Sequence, residues 1–395
     1  MAHLDYSAVF LVVVTVIVFF VPVFILFPPI PVDHSDALRQ THSKLGRPLR
    51  ESNLRSQYDK RHQPQPGKTP KIESLHIYPI KSCRGIEVDK TRILPTGLEH
   101  DRLFIQLGYL EGGFVVVRFP WQDKGLRGFA QLVAAKFSRG LSAVSEKEFV
   151  LPLEFPSKEE ITARGYEFAN VKIWVDIANA LNMSRELPPE LATYLGVKNR
   201  LGIFRSDPFN RRVVFRCAPR KETLGYQTEV DFHDAYPVHL LNLTSIRALE
   251  SKIQKDKQID RLDARRFRGN IINAINPVSG VKDYDEDDWR RIKFKSPGTT
   301  KTLSTFDVSC RTVRCKLPNV DPATGIRHKM EPDHALRKYR DIDAGAPKMG
   351  CLGMQLCPIF PKSDIPEQLE SMLEVGMELD VLERGSHLYI KQSAR

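Results

Sequence analysis

Cysteine is scarce and widely spaced in this chain, with Cys83, Cys217, Cys310, Cys315, Cys351 and Cys357 the six thiols in 395 residues. Such usage argues against a disulfide framework and for a reducing compartment. The intervals from Cys310 to Cys315 and from Cys351 to Cys357 do not together give the spacing of about two to four residues at each end that a structural zinc site uses. There is no ferredoxin-like cysteine cluster and no glycine-rich GxGxxG turn following a strand. Electrons for any redox chemistry would therefore come from outside the chain. The net charge is +11, yet no nucleic-acid module or repeated basic-aromatic pattern accompanies it, and no nucleic-acid partner is expected. Internal repeats are lacking as well.

Charge is missing altogether from Ala8 to Phe27, twenty residues made almost wholly of Val, Phe, Leu and Ile. At roughly 1.5 Å per residue this run matches one bilayer core and predicts a transmembrane helix, kinked at Pro22. It ends in Phe27-Pro28-Pro29-Ile30-Pro31, not in the small-residue cleavage site of a signal peptide. Residues 1–32 are accordingly expected to be an uncleaved anchor. Residues 33–71 hold nine Lys or Arg against four acids and are dotted with proline, which predicts a basic flexible linker. Lys and Arg stay on the cytosolic side of a span, so the bulk of the chain should face the cytosol.

Beyond the linker, short runs rich in branched residues and bounded by Pro or Gly predict strands at 71–81, 102–107, 113–119, 148–155, 171–175 and 200–204. A helix is expected over 188–195, stopped by Gly196. A soft boundary falls near residue 220. After it come a strand at 237–243 and a helix at 244–253 capped by Thr244. Further strands are expected at 268–273, 291–294, 300–307, 353–359 and 377–382. The fold class is mostly β with helices (α+β), closed or partly closed as a barrel. The acidic run Asp283, Asp285, Glu286, Asp287 and Asp288 lacks metal-site spacing and predicts a solvated loop.

The chemistry concentrates between Ser309 and Gly325, SCRTVRCKLPNVDPATG. Thiolates are the softest protein ligands and select soft metals or metals already held by sulfur. Arg314 beside Cys315 favours the thiolate if both side chains share a side. An inert small hydrophobe is the other reading of Cys315. Asp321-Pro322 and Thr324-Gly325 are turn chemistry, so Cys315 should sit at a strand end entering a rigid loop.

Taken in order, IYPIKSCRG from Ile77, GLEHDRLF from Gly97, RFRGNI from Arg266, EDDWRRIKF from Glu286, VRCKLPNVDPATG from Val313 and LRKYR from Leu336 resemble the MOSC-domain proteins of the mitochondrial amidoxime-reducing component type. Gly269, Val313 and Gln355 depart from that pattern, where proline, serine and tyrosine are common. The resemblance implies an N-terminal β-rich MOSC domain over 72–220 and a β-barrel-like MOSC domain over 221–390. It implies the molybdenum cofactor, a molybdopterin, with Cys315 as the metal's thiolate and Arg314 beside it. Lys81, Ser82, Arg102 and Arg268 would hold the pterin and its phosphate. No haem, flavin or pyridoxal phosphate is expected. The implied activity is two-electron reduction of N-hydroxylated small molecules such as amidoximes. Cytochrome b5 and an NADH-cytochrome b5 reductase would donate the electrons. The mitochondrial outer membrane is expected ahead of the endoplasmic reticulum. A non-catalytic cofactor carrier is the alternative of another class. A sulfur-transfer MOSC protein is the enzymatic one, although it would need a pyridoxal-phosphate domain for which 395 residues and an anchor leave no room.

Overall fold

In the segment from Thr302 to Val313, every second side chain from Ser304 through Phe306, Val308 and Cys310 to Thr312 is buried. Period-two burial is the mark of a strand lying on a core. The computed structural model describes residues 6–26, 38, 41–59, 69–102, 113–274, 283–299, 302–361 and 369–390. Among them the strands are β1 Lys71–Ile77, β2 Ile86–Val88, β3 Lys90–Leu94, β4 Gly97–Leu98, β5 Phe114–Pro120, β6 Glu146–Pro152, β7 Glu167–Ile173, β8 Asp176–Asn182 and β9 Phe204–Ser206. They continue as β10 Arg212–Val213, β11 Glu229–Val230, β12 Val238–Asn242, β13 Ile271–Ala274, β14 Trp289–Lys295, β15 Thr302–Val313, β16 Cys351–Ile359, β17 Ser371–Glu374 and β18 Glu378–Arg384. The α-helices are α1 Tyr6–Leu26, α2 Gly125–Arg139, α3 Lys158–Arg164, α4 Pro189–Tyr194, α5 Lys221–Leu224, α6 Leu243–Glu250 and α7 Asp333–Tyr339.

Two compact units divide the chain. One comprises Met1–Lys44, Gly108–Pro152 and Ser184–Gly202, the other Leu45–Leu107, Leu153–Met183 and Ile203–Arg395. In the first, β5 pairs antiparallel with β6, and α2 connects them. Arg118 pairs with Glu148 at 3.0 Å, and Phe119 packs on Tyr194 of α4 with ring centroids 5.5 Å apart. Helix α1 belongs to this unit, and its side chains from Tyr6 to Phe20 are exposed.

The second unit holds an eight-stranded sheet in the order β13-β12-β16-β15-β14-β18-β1-β2. It closes because β1 pairs with β13 at one edge and touches β18 through Lys71 and Glu378. All these pairings are antiparallel except β12 with β13, which runs parallel. Parallel neighbours require a crossover, and here it contains α6. The Asn242 side chain caps that helix by accepting from the Thr244 N–H at 3.0 Å. Adjacent residues of the central strands feed opposite faces. Leu240, Ile271 and Met354 join Trp289, Phe294, Phe306 and Cys310 inside the barrel. Leu241, Ile272 and Leu352 meet Ile246, Leu249, Phe267 and Leu336 outside it, under the helices. Cutting back a large side chain such as Phe306 would cost roughly 3–5 kcal/mol.

Several expectations require correction. Among the described residues no helix is long and apolar enough to cross a membrane. The expected span is a helix from Tyr6 to Leu26, and the rest of the 1–32 anchor lies outside the described residues. The basic linker is not a free tether from Leu45 to Asp59. Leu54 is buried beside Leu249 and Phe267, Asn53 N–H donates to Glu87 at 2.9 Å, and Gln57 Oε1 accepts from the Ala264 N–H at 3.0 Å. Residues 60–68 of that segment lie outside the described residues, as do 103–107 of the strand expected at 102–107. A boundary near 220 does not separate sheets, because β1 lies in the same sheet as β13 and β18. The helix at 244–253 is capped by Asn242 in place of Thr244. The acidic run is no solvated loop. Residues Asp285–Asp288 form a 3-10 turn with Glu286 fully buried, Asp287 paired with Arg340 at 2.7 Å, and Asp285 paired with Arg384 at 2.8 Å.

Candidate cofactor site

Strand β1 ends at Ile77, and the next residue, Tyr78, is buried between two arginines. The Arg268 guanidinium stands 4.2 Å from the Tyr78 ring centroid and that of Arg102 5.6 Å. Cations over an aromatic face are attracted by its quadrupole. The ring is itself fixed, since its hydroxyl donates to Gly269 O at 3.1 Å and its backbone N–H to Asp101 Oδ1 at 2.6 Å. Asp101 is a buried hub. It also accepts from Asn270 Nδ2 at 2.9 Å and Arg102 at 3.2 Å, and His233 Nε2 lies 3.2 Å from it. Burial would raise the Asp101 pKa, but Arg102, His233 and the Tyr78 N–H outweigh it and hold the carboxyl below its usual range.

Arg268 is not in a strand, contrary to expectation. It follows the 3-10 turn Ala264–Phe267 in the left-handed conformation, at φ 54. Its side chain donates to Cys83 O in the turn after Lys81. Ser82 shares the left-handed conformation at φ 66 and is exposed. Lys81 ion-pairs with Asp234 and donates to Phe232 O at 3.2 Å. Burial lowers the Lys81 pKa, while Lys81 and Arg102 hold the Asp234 carboxyl far below its usual range against burial. Trp174 donates from its indole to the same Asp234 at 2.9 Å.

Strand β15 ends at Val313. Arg314 then turns inward and Cys315 outward, one buried and the other exposed. The Arg314 N–H donates to Gly350 O at 2.9 Å, and its guanidinium donates to Phe267 O at 2.8 Å. A second guanidinium nitrogen lies 3.4 Å from His239 Nε2, and His239 Nδ1 lies 3.3 Å from Arg268 O. Arginine has no acceptor and a carbonyl has no donor, so a neutral ring accepts from Arg314 at Nε2 only in the tautomer that carries its hydrogen on Nδ1, toward Arg268 O. Burial, then the charges of Arg314 and Arg102, push the His239 pKa well down, which keeps the ring neutral. Burial likewise lowers the Arg314 pKa to about 10, opposed by Cys315 and Asp234. Gly353 permits this packing at φ +81, because a Cβ there would stand 2.7 Å from His239 Nε2.

The loop after Cys315 is rigid, as its turn residues predict. Leu317 N–H donates to Cys315 Sγ at 3.5 Å, and Asp321 Oδ1 accepts from the N–H groups of Ala323 and Thr324 at 2.8 and 2.9 Å. Arg266, buried, reaches across to Asn319 O at 3.3 Å and Asp321 Oδ2 at 2.8 Å. Of the residues the sequence nominates, Lys81, Arg102, Arg268 and Arg314 are thus tied together through Tyr78, His239 and Asp234, and Cys315 follows Arg314 in the chain with its side chain turned the other way. Ser82 shares only their turn. Sequence reasoning missed Tyr78, Asp101, Asp234, His239 and Arg266. Tyr78, Asp101 and Arg266 stand inside quoted motifs, while Asp234 and His239 carry no local signal.

Four cations, Lys81, Arg102, Arg268 and Arg314, here share two carboxylates, Asp101 and Asp234. The Arg314 Nε is buried without a hydrogen-bond partner. Surplus buried charge with an unmet donor is costly by itself and suits an anionic ligand. Among the described residues no cluster of His, Cys, Asp or Glu could hold a metal by itself. Cys315 is an exposed soft donor at this place, as is Cys83 in the turn that Arg268 holds, and such a donor fits a metal brought by its own ligand better than a bare ion.

Comparison with known proteins places the same residues in two matched segments. Residues 69–120 match the model of the MOSC N-terminal beta barrel domain, and residues 227–365 that of the MOSC domain. Tyr78, Lys81, Asp101 and Arg102 lie in the segment that matches the N-terminal model; Asp234, His239, Arg266, Arg268, Arg314 and Cys315 lie in the segment that matches the MOSC model. The chain is 26% identical to mitochondrial amidoxime reducing component 2 of Rattus norvegicus, over 77% of this chain and 81% of the relative. It is 25% identical to mitochondrial amidoxime-reducing component 1 of Homo sapiens, over 70% and 74%. It is 22% identical to molybdenum cofactor sulfurase of Arabidopsis thaliana, over 78% of this chain and 35% of the relative. The name of the last of these relatives refers to the molybdenum cofactor.

Proposed function

We propose that this chain binds the molybdenum cofactor and uses it to reduce N-hydroxylated compounds such as amidoximes. The observation that supports this most is the unpartnered Arg314 Nε in a cationic cluster beside the exposed Cys315 thiol. Lys81, Arg102 and Arg268 would hold the pterin phosphate and ring, and Cys315 would ligate the metal. When bound, the cofactor supplies a two-electron redox centre. The protein's own part is positioning: Tyr78 fixes two guanidiniums, and neutral His239 orients Arg314 without adding charge. Arginine suits bidentate anion contacts and lysine acts as a point charge.

Electrons would come from a separate donor of the cytochrome b5 and NADH-cytochrome b5 reductase type. Attachment to a membrane through residues 1–32, at the mitochondrial outer membrane, belongs to the same proposal. Its support is an apolar segment whose side chains from Tyr6 to Phe20 are exposed. Purified protein loaded with cofactor and supplied with reduced donor should convert benzamidoxime to benzamidine. Cofactor binding and release without turnover would replace the reductase reading with that of a carrier, and transfer of sulfur to a cofactor acceptor would favour a sulfurase.

A further inference from the structure

The unit that holds β5, β6 and α2 turns an apolar stripe outward. In α2, Gly128 is buried against the chain that enters the helix, where a Cβ would stand 1.8 Å from Asp123 O, and Gln131 donates to Asp123 Oδ2 at 3.0 Å. Ala135 is buried as well. Positions 128, 131 and 135 share one side of a helix of about 3.6 residues per turn, so Leu126, Phe129, Ala130 and Val133 share the other. There Leu126 is 89% exposed and Phe129 64%, and Ala130 is exposed with them. Leu141, 86% exposed, follows just past the helix end, and its carbonyl accepts from Lys136 Nζ at 2.8 Å. A surface helix ordinarily carries polar residues on its outer side. Apolar side chains gathered there mark an interaction surface.

The charges select what covers this face. Helix α2 contains no Asp or Glu, its cations Arg127 and Lys136 lie by spacing on either side of the stripe, and Lys124 is exposed at the helix start. Asp123, which pairs with Arg127 at 3.4 Å, lies ahead of the helix and also accepts from Trp121 at 3.1 Å. A second copy seated here would set the same cations against themselves, because a two-fold contact pairs each patch with itself. A bilayer surface with anionic headgroups answers both parts of the pattern, since the acyl boundary takes the apolar stripe and the headgroups take the flanking cations. We propose that α2 is an interfacial helix, lying in the plane of an anionic membrane surface with Leu126 and Phe129 in the acyl boundary. This contact is separate from attachment through residues 1–32. Helix α1 is uncharged along its whole length, whereas α2 is one-sided and cationic. The contact would hold the unit that carries α2 at the surface.

The test is photo-crosslinking of the full chain on vesicles of phosphatidylcholine and phosphatidylserine in equal parts, doped with a phosphatidylcholine that carries a diazirine in its acyl chain, followed by peptide mapping. The expected result is acyl adducts on the peptide that holds Leu126 and Phe129. Phe209, as exposed as Leu126 but set in a turn with its N–H on Asp207 Oδ1, should stay unmodified. Omitting phosphatidylserine or raising the salt should cut the α2 adducts several-fold. The double variant Leu126→Glu, Phe129→Glu should lose them, and both positions are exposed, so the parent's labelling pattern stands as the control for folding. Adducts on Tyr6–Leu26 are scored separately, so the anchor and this helix succeed or fail independently. Adducts on Tyr6–Leu26 with none on α2 overturn the proposal. Equal adducts on Phe209, indifference to lipid charge and salt, or a dimer that protects Leu126 and Phe129 without lipid overturn it too.

Discussion

At the scale of single residues, the buried charges decide more than the exposed ones. Asp101 receives hydrogen bonds from Tyr78 N–H, Asn270 and Arg102 while fully enclosed. Removing one partner of a buried ion pair costs roughly 3–5 kcal/mol, because the remaining charge keeps no compensation. Asp101→Asn should therefore lower the urea midpoint strongly and reduce cofactor content through Arg102, and a near-neutral midpoint would show the hub to be replaceable. Glu286 poses the opposite case. Burial first, then Asp287, raise its pKa to about 7 against hydrogen bonds from Asn242 and Ser245. The folded state then holds a proton that the unfolded state has lost above about 4.5. Stability from this group falls as pH rises from there toward 7, by about 1.4 kcal/mol per unit. The stability of the parent minus that of Glu286→Gln, which cannot ionise, should fall with pH across that window in urea titrations. Taking the difference removes His76, His233 and His239, whose lowered pKa values act in the other direction. Equal slopes would contradict the assignment.

Among the elements, the loop after β15 was legible because its determinants are local. Asp321 bonds to N–H groups two and three residues on, and Gly325 supplies φ +74. Sequence alone shows such turn chemistry. What it does not show is Arg266, which holds the same loop from 53 residues away through Asn319 and 55 through Asp321. Arg266→Met keeps the packing and loses those bonds, at a cost of roughly 2 kcal/mol. Amide exchange at Ala323 and Thr324 should speed up while the barrel strands stay protected; unchanged exchange would show that the Asp321 turn is self-sufficient. The segment from Leu45 to Asp59 was misread for a related reason. One apolar side chain, Leu54, carried on a 3-10 turn, gives no periodic pattern, yet it is buried against α6 and Phe267. The acidic run deceived similarly, because its partners Asn242, Arg340 and Arg384 are far off in the chain.

For the molecule as a whole, barrel closure is what assembles the candidate site. Strand β1 must meet β13 for Tyr78 to lie under Arg268, and β12 must lie between β13 and β16 for His239 to bridge Arg268 and Arg314. Short β-rich runs announced a barrel, but the register that joins His239 to Arg314 is a property of non-local pairing and leaves no trace in either motif. The central claim is that the two halves of this cluster do different work, Cys315 on the metal and the arginines on the pterin phosphate. Molybdenum and pterin content measured together with benzamidoxime reduction, for Cys315→Ser and Arg268→Ala beside Cys310→Ser, tests it most directly. A hydroxyl of much higher pKa replaces the soft thiolate in the first variant. The account predicts that Cys315→Ser abolishes reduction while retaining pterin, that Arg268→Ala loses pterin and activity in proportion, and that Cys310→Ser stays active. Normal reduction by Cys315→Ser with a dead Cys310→Ser would contradict it.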